Sequence, residues 1–462
     1  MIREQDQASV TDSSKKSVNQ LRGITRFGPI DYSYYMNQPH RSSIELAIVS
    51  PKEDLCKILT HLAKLNQRIT PSNQNDGFLT QYSGFEPIFK RGILVPVETD
   101  TTRVFHYPIN STTSQNISDF CNLLKRYIDI LSAQNNFDVA IIYIPERMSR
   151  FRENPMTEFN LHDAIKLYAT DKAVSVQFIE ERSTHSQDQC KVMWGLSTSL
   201  YAKAAGELWQ PVTMNDETAY VGISYALSRI NGTCIGCSQL FDSTGTGIRM
   251  LLRKITDPGY WNHNPYMKCD EAMSMMSSLR DQYYKSNPTS LLNRVVVHKT
   301  TPFTQEEIKG FTHALEGINN IELLQIQEHS DWRAIRFDTM NIGGNPAAFP
   351  IHRGAVIPLD DNSFLLWTHG CVQHDELSGS RRNYFKSGRG IPSPLLVKRY
   401  YGKTSGDDLA KEILMLSKMN WNSGDSLYKQ LPVTLDFAKV LSRMSKQDEA
   451  LYNKPYDFRY FM

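Results

Sequence analysis

The sequence predicts an α/β protein in which a Rossmann-like unit is followed by an RNase H-like unit. Two observations carry this. From about Ser118 onward, strand-length apolar runs alternate with amphipathic helical stretches, the order of a parallel sheet covered by helices. After Tyr220 the order changes to three strands joined by short Asn-Gly and Thr-Gly-Thr-Gly turns, then a helix, a strand and a helix.

Taken along the chain, the first twenty or so residues are rich in Ser, Gln and Lys without periodicity and read as a loose arm, with order beginning near Ile30. Ser43 to Val49 is a strand by its apolar content, and Leu55, Ile58, Leu59, Leu62 and Leu65 fall at helical spacing. The polar stretch Ser72 to Ser83 reads as a loop. Residues 1–115 are therefore set apart as a lead-in segment. In the next unit, 116–215, Ser118 is placed as the cap of a helix with Phe120, Leu123, Leu124, Tyr127 and Leu131 on one face. Val139 to Ile144 is apolar throughout, as in a strand buried on both faces. Asn160 caps a helix carrying Leu161, Ile165 and Tyr168; strand Val174 to Ile179 and a helix from about Gln187 to Ala205 complete the unit.

The last unit, 216–462, opens with strands Tyr220 to Ala226, Cys234 to Phe241 and Ile248 to Leu252. A helix with Met275, Met276, Leu279 and Tyr283 along one side follows, then strand Val295 to His298. Thr304 with Glu307 has capping-box spacing. Strands near Phe364 to Thr368 and Leu395 to Tyr400, and helices Leu409 to Met419 and Leu435 to Met444, close the chain.

Composition bounds the function. The 462 residues carry 51 Lys plus Arg against 49 Asp plus Glu, a net +2, with 40% apolar and 22% charged residues, which excludes disordered, collagen-like and coiled-coil classes. Near-zero net charge neither requires nor excludes a nucleic acid, since a basic groove can be balanced elsewhere. No run of about 18 apolar residues exists, and the polar start lacks a secretory h-region, so a cytoplasmic location is expected. Seven cysteines, odd and sparse, are expected to be reduced.

The chemistry concentrates in the second unit. His162 and Lys166, at i and i+4, share a helix face, and His162 lies in the first turn, where backbone N–H groups lack partners. Free donors, the positive end of the macrodipole and a lysine together suit a phosphate. Gln177, toward the end of the next strand, and Lys203, near the end of the next helix, can reach the same crevice at the carboxyl edge of the sheet. On spacing alone the competing description is a solvated helix face.

The series His162, Lys166, Gln177, Lys203 resembles the signature by which the MID domain of Argonaute proteins holds the 5′-phosphate of a guide strand, in its His-Lys variant. Ala219-Tyr-Val-Gly-Ile-Ser-Tyr and Val295-Val-Val-His-Lys-Thr-Thr-Pro-Phe look like two catalytic strands of a PIWI domain. Ile391-Pro-Ser-Pro-Leu-Leu-Val-Lys-Arg, Leu414-Met-Leu-Ser-Lys-Met-Asn-Trp-Asn-Ser and Leu431-Pro-Val-Thr-Leu-Asp-Phe-Ala-Lys are similar to later PIWI blocks, so the resemblance spans 118–462. It implies a MID domain at 116–215 and a PIWI domain at 216–462; a length without room for N and PAZ domains resembles the short prokaryotic Argonautes.

An RNase H-type site holds two divalent metals on carboxylates. Where the family pattern places its three, this chain has Ser224, Thr300 and Lys439, which implies a PIWI domain that binds without cutting; Asp436 nearby is a single carboxylate. The resemblance further implies a guide RNA, a single-stranded DNA target and a separate APAZ-domain effector protein in a heterodimer. That effector is expected to be a TIR or sirtuin-type NADase depleting NAD in defence against plasmids or phage; the alternatives are a nuclease effector, or an active guide-directed endonuclease in this chain itself. By the same resemblance the carboxylate of Met462 folds back to help hold a magnesium ion at the guide phosphate.

Other features stay open. Arg381, Arg382, Lys386 and Arg389, with Lys398 and Arg399 nearby, are either a guide- or target-backbone contact or a solvated basic loop. Cys234 and Cys237 form a CxxC without a second pair, favouring buried thiols over a zinc site.

Overall fold

In a computed structural model the structure describes residues 42–72, 80–109, 116–134, 136–206, 217–227, 234–242, 247–288, 291–328, 330–342, 345–368, 391–420, 430–447 and 455–461, with short strands at 3–4, 10–11, 17–18 and 210–211. Side chains in 336–350 and at Cys234 and Cys237 lie outside the described set, as do Arg381, Arg382, Lys386, Arg389 and Met462.

The first sheet is built from β1 (Ser43–Ser50), β2 (Gly92–Leu94), β3 (Val104–His106), β4 (Val139–Ile144) and β5 (Val176–Glu180). Its order is β5-β4-β1-β2, with β3 also on β1, and these pairings are parallel. The strand expected in a separate lead-in segment is thus a central strand of this sheet, which corrects the boundary at residue 115: Leu46 to Val49 pair with Val139 to Ile142. β1 is too apolar for a surface arm, since Ile44 and Leu46 to Val49 are all buried. The N-terminal arm is also less loose than its composition implies, because Arg3–Glu4 pairs with Ala355–Val356 and Val10–Thr11 with Gln210–Pro211.

Helices cover both faces, as a parallel sheet requires. Because strand side chains alternate, Val139, Ile141 and Tyr143 face one side, with α1 (Leu55–Ala63) and α4 (Gln189–Lys203). Ala140, Ile142 and Ile144 face the other, with α2 (Ile117–Ser132) and α3 (Leu161–Asp171). Asn116, not Ser118, caps α2: its side chain accepts from the Asp119 amide at 2.9 Å, and Ser118 lies inside the first turn. Asn160 caps α3 as expected, accepting from the Asp163 amide at 3.0 Å.

The second sheet has ten strands centred on β6 (Thr218–Leu227). On one side β7 (Cys234–Phe241) and β8 (Gly247–Ile255) form the expected antiparallel meander. After α5 (Cys269–Ser286), β9 (Arg294–Lys299) joins the other side of β6 in parallel. Next come α6 (Gln305–Ala314), with the Thr304–Glu307 capping box complete, and β10 (Asn320–Gln327), parallel to β9. β10 is absent from the sequence reading although its pattern, with Ile321, Leu323, Leu324 and Ile326 buried, is that of a core strand; the doubled Leu broke the alternation. The sheet continues through β11 (Ala355–Asp360), β12 (Ser363–Leu366) and β13 (Leu395–Tyr401), with β13 beside β10. α7 (Gly406–Leu416) and α8 (Val433–Met444) finish the unit. One apolar cluster runs from Ile48 and Trp194 to Leu324, Leu435 and Met444, so the cores of the two units are continuous. Among the described residues no helix is long and apolar enough to cross a membrane.

α7 is tied to the sheet by a buried ion pair: the Arg294 guanidinium donates to both Glu412 oxygens at 2.6 and 3.0 Å. Removing one member leaves the other charge buried, a loss of about 3–5 kcal/mol. Glu412→Ala is accordingly expected to lower unfolding free energy by that amount in denaturant titration, whereas Arg294→Met/Glu412→Met together cost far less; an equal loss in the single and double variants would contradict the reading.

Candidate anion site at the edge of the first sheet

Among the described residues β5 is an edge strand, paired with β4 alone. α3 packs on one face of the sheet and α4 on the opposite face, so side chains from both helices can meet around the open side of β5. Lys203 is the last residue of α4, and Gln177 is the second residue of β5, not near its end. Because α4 runs back along the strand, its last turn lies beside the strand's beginning. The Lys203 ammonium donates to Gln177 Oε1, which also accepts from Ser199 Oγ at 2.8 Å, while Gln177 Nε2 donates to the Phe178 carbonyl at 2.8 Å. The four signature residues gather here, along the flank of β5, and not in the crevice beyond the carboxyl ends of the strands.

From α3, Lys166 is buried and close enough for its charge to act on Lys203. Burial lowers the Lys166 pKa to about 8, against the opposing pull of Asp163. Burial and then the Lys166 charge push Lys203 well below the usual lysine range. His162 stands in the first turn of α3 with its ring 5.0 Å from that of Phe178, and its side chain is 45% exposed. Burial of the ring lowers its pKa, partly offset by a 2.9 Å contact between Nδ1 and Asp163 Oδ1.

Two residues of this cluster escaped the sequence reading. Asp163 is fully buried, and burial, which favours its neutral form, is outweighed by hydrogen bonds from His162 and Arg443, so its pKa is lowered. Arg443 comes from the last turn of α8: Nε donates to Asp163 Oδ2 at 2.7 Å and Nη2 to Oδ1 at 3.0 Å. The two-pronged geometry is the strong form of such a pair. Around it, Gln447 donates to the Glu158 carbonyl at 2.8 Å and accepts from the Asn160 amide at 3.1 Å, and Lys446 pairs with Glu158. The C-terminal turn Phe458–Phe461 packs on α3 and α4, with Tyr460 donating to the Ala173 carbonyl at 3.3 Å. Beside Lys203 it closes a polar cavity of about 300 Å³ that Arg91, Asp138, Ser175 and Arg459 also line.

The other positions separate. At the carboxyl ends of the parallel strands, Ile223 pairs with Lys299, which sets Ser224 of β6 beside Thr300 just after β9. Thr300 accepts from Gln325 Nε2 through its carbonyl at 3.1 Å. Lys439 of α8 forms an ion pair with Glu328, which follows β10. α8 can lie close because a Cβ at Gly222 would clash with the Thr434 carbonyl, and Thr434 Oγ1 lies 2.8 Å from Nδ1 of the buried His298. Among the described residues no group of three His, Cys, Asp or Glu is placed to hold a metal.

Lys398 and Arg399 are consecutive on β13 and therefore point to opposite faces. Lys398 is exposed, but Arg399 is engaged internally, donating to the Thr404 carbonyl at 2.5 Å, the Asp361 carbonyl at 2.7 Å and Asn362 Oδ1 at 3.1 Å. That commitment argues against Arg399 as a backbone contact. Arg381, Arg382 and Met462 lie outside the described residues.

Comparison with known proteins places this arrangement. A scan of protein-family models gives no match. An Argonaute of Aquifex aeolicus (strain VF5) is 19% identical over 346 residues, 73% of this chain and 43% of that protein. The solved Argonaute of Clostridium butyricum, bound to a guide DNA and a 19-mer target DNA, superposes with a TM-score of 0.69 at 14% identity, covering 100% of this chain and 55% of the other. The A. aeolicus Argonaute structure gives 0.60 at 16%, covering 100% and 56%, and Aa-Ago with externally bound siRNA gives 0.62 at 17%. The chain thus spans about half the length of these relatives, and its fold is the Argonaute-like α/β fold of their MID–PIWI architecture.

Two desolvated lysines side by side oppose folding unless an anion joins them. Lys203→Met is expected to raise the unfolding free energy of the ligand-free protein by about 0.5–2 kcal/mol, read by denaturant titration; a loss of stability would mean that Lys203 is a structural residue.

Proposed function

We propose that this chain is a guide-binding protein of the Argonaute type that seats the 5′-phosphate of a guide RNA on His162, Lys166, Gln177 and Lys203 and pairs that guide with single-stranded DNA. The observation that carries the reading is the cluster itself: Lys166 and Lys203 are buried, the Lys166 charge acts on Lys203, and His162, Arg443 and the Asp163 carboxylate stand with them. Such a site lowers its energy by taking up a dianion, and the α3 N-terminus adds the positive end of its dipole. Among the relatives, one structure holds a guide DNA with its target and another an externally bound siRNA, which agrees with a nucleic acid as ligand. Sequence reading would then belong to base pairing, with the protein holding phosphates.

The reading includes a PIWI-type unit, 216–462, that does not cut. By the sequence resemblance, Ser224, Thr300 and Lys439 take the places of the three carboxylates that a two-metal site needs; the β6–β9 register sets Ser224 beside Thr300, and Lys439 is paired with Glu328. The output would then come from a partner, an APAZ-domain protein carrying a TIR or sirtuin-type NADase that depletes NAD when plasmid or phage DNA is matched. This partner is favoured over a nuclease effector on the sequence resemblance to short Argonautes alone. Target pairing acts on it only through differential affinity for its active arrangement. The described residues of the phosphate site are cationic and do not by themselves form a magnesium site; an ion there would depend on the Met462 carboxylate and the guide's own oxygens.

The test compares 5′-phosphate and 5′-hydroxyl guide RNAs on the purified chain, wild type and Lys166→Ala/Lys203→Ala. A net gain of about 1.5–3 kcal/mol from charge-assisted hydrogen bonds implies a preference of roughly 10–100-fold for the phosphate, lost in the double variant. Equal binding of both guides removes the phosphate assignment. A labelled target incubated with the loaded chain and Mg²⁺ or Mn²⁺ is expected to stay intact, and cleavage opposite the guide would overturn the non-cutting reading.

A further inference from the structure

Resting on the phosphate reading, we propose that His162 and Asp163 form a dyad that couples loading of the 5′-phosphate to uptake of one proton. Nδ1 of His162 lies 2.9 Å from Asp163 Oδ1. Asp163 is fully buried and its carboxylate is held by Arg443 Nε at 2.7 Å and Nη2 at 3.0 Å, so it is an acceptor. The ring proton therefore sits on Nδ1, and Nε2, at the far edge of a half-exposed ring, carries a lone pair whenever the imidazole is neutral.

A phosphate monoester dianion also offers only lone pairs. Two acceptors repel, so a hydrogen bond between them needs a proton from solvent. As imidazolium, His162 donates once to Asp163 and once to a phosphate oxygen. No covalent bond to the guide forms or breaks, and one proton passes from water to Nε2.

The groups facing the ring set the direction. Asp163 on α3 favours the charged form; Lys166 on α3 and Lys203 on α4 oppose it; Phe178 of β5 contributes an apolar wall; Arg443 of α8 is spent on Asp163. Without a ligand, desolvation of the ring, aided by the two lysines, outweighs Asp163 and holds the pKa below the ordinary imidazole value. A dianion on the two lysines reverses their effect and raises it. Affinity thus grows as pH falls through the bound-state pKa, levels off below the free-state pKa, and is weakest above both.

The experiment measures the Kd of 5′-phosphate and 5′-hydroxyl guide RNAs from about pH 5 to pH 8 for wild type, His162→Tyr and His162→Gln, with Asp163→Asn as a fourth protein. Tyrosine donates without titrating in this range, and glutamine keeps a neutral donor if the tyrosine variant does not fold. The second ionisation of the phosphate and the titration of both lysines enter every variant, so the difference in slope isolates His162. Wild type is expected to lose affinity for the 5′-phosphate guide more steeply with rising pH than either His162 variant, by up to about tenfold per pH unit, with the excess moved to lower pH in Asp163→Asn. Parallel slopes in wild type and both His162 variants, with the phosphate preference retained, would overturn the dyad and leave the site intact. No phosphate preference at any pH would remove the site on which the dyad rests.

Discussion

The carboxylate of Asp163 is the contact on which the candidate site depends. It is fully buried, stands in the first turn of α3, and binds His162 on one side and the Arg443 guanidinium on the other. A charge so placed is tolerated only when its oxygens are saturated, and here the saturation comes from two different units of the chain. Burial lowers the pKa of both Lys166 and Lys203, and the same carboxylate opposes that shift at Lys166. One acid therefore joins the units.

α8 extends that constraint across the molecule. Its first turn rests on the β6 backbone at Gly222, where a side chain would collide with Thr434. Its middle places Lys439 against Glu328, at the carboxyl ends of the parallel strands, and its last turn delivers Arg443 to Asp163. A single helix thus spans from the strand ends at Glu328 to the position where this chain gathers lysines. Displacing one end has to be absorbed at the other, because the apolar cluster between them is continuous from Trp194 to Leu435 and Met444.

Much of this was legible in the residues. Helix caps at Asn160 and Thr304, the apolar β4 and the antiparallel meander follow from local pattern, and local pattern is what a sequence exposes. The lysines and Gln177 were found through a family resemblance, because spacing alone does not separate a phosphate site from a solvated face. What stayed hidden is long-range. β1 was set outside the first unit because nothing in its own residues says that it pairs with a strand about ninety positions on. Arg443 is an ordinary last-turn arginine until the fold brings it to Asp163, 280 positions away. Asp163 carried a faint signal: an acid at the third helical position, directly after a histidine, is suited both to the cap and to the ring. Arg399 misled in the opposite direction, since its charge reads as a surface contact while its guanidinium is used up on the carbonyls of Asp361 and Thr404.

The most direct test of the central claim is an experimental structure of the chain with a 5′-phosphorylated guide RNA. The account predicts the terminal phosphate at the flank of β5, about 3 Å from Lys166 Nζ and Lys203 Nζ, with the Arg443–Asp163 pair unbroken. A guide whose 5′ end lies away from these lysines, with Lys203 still turned to Gln177 alone, would contradict it.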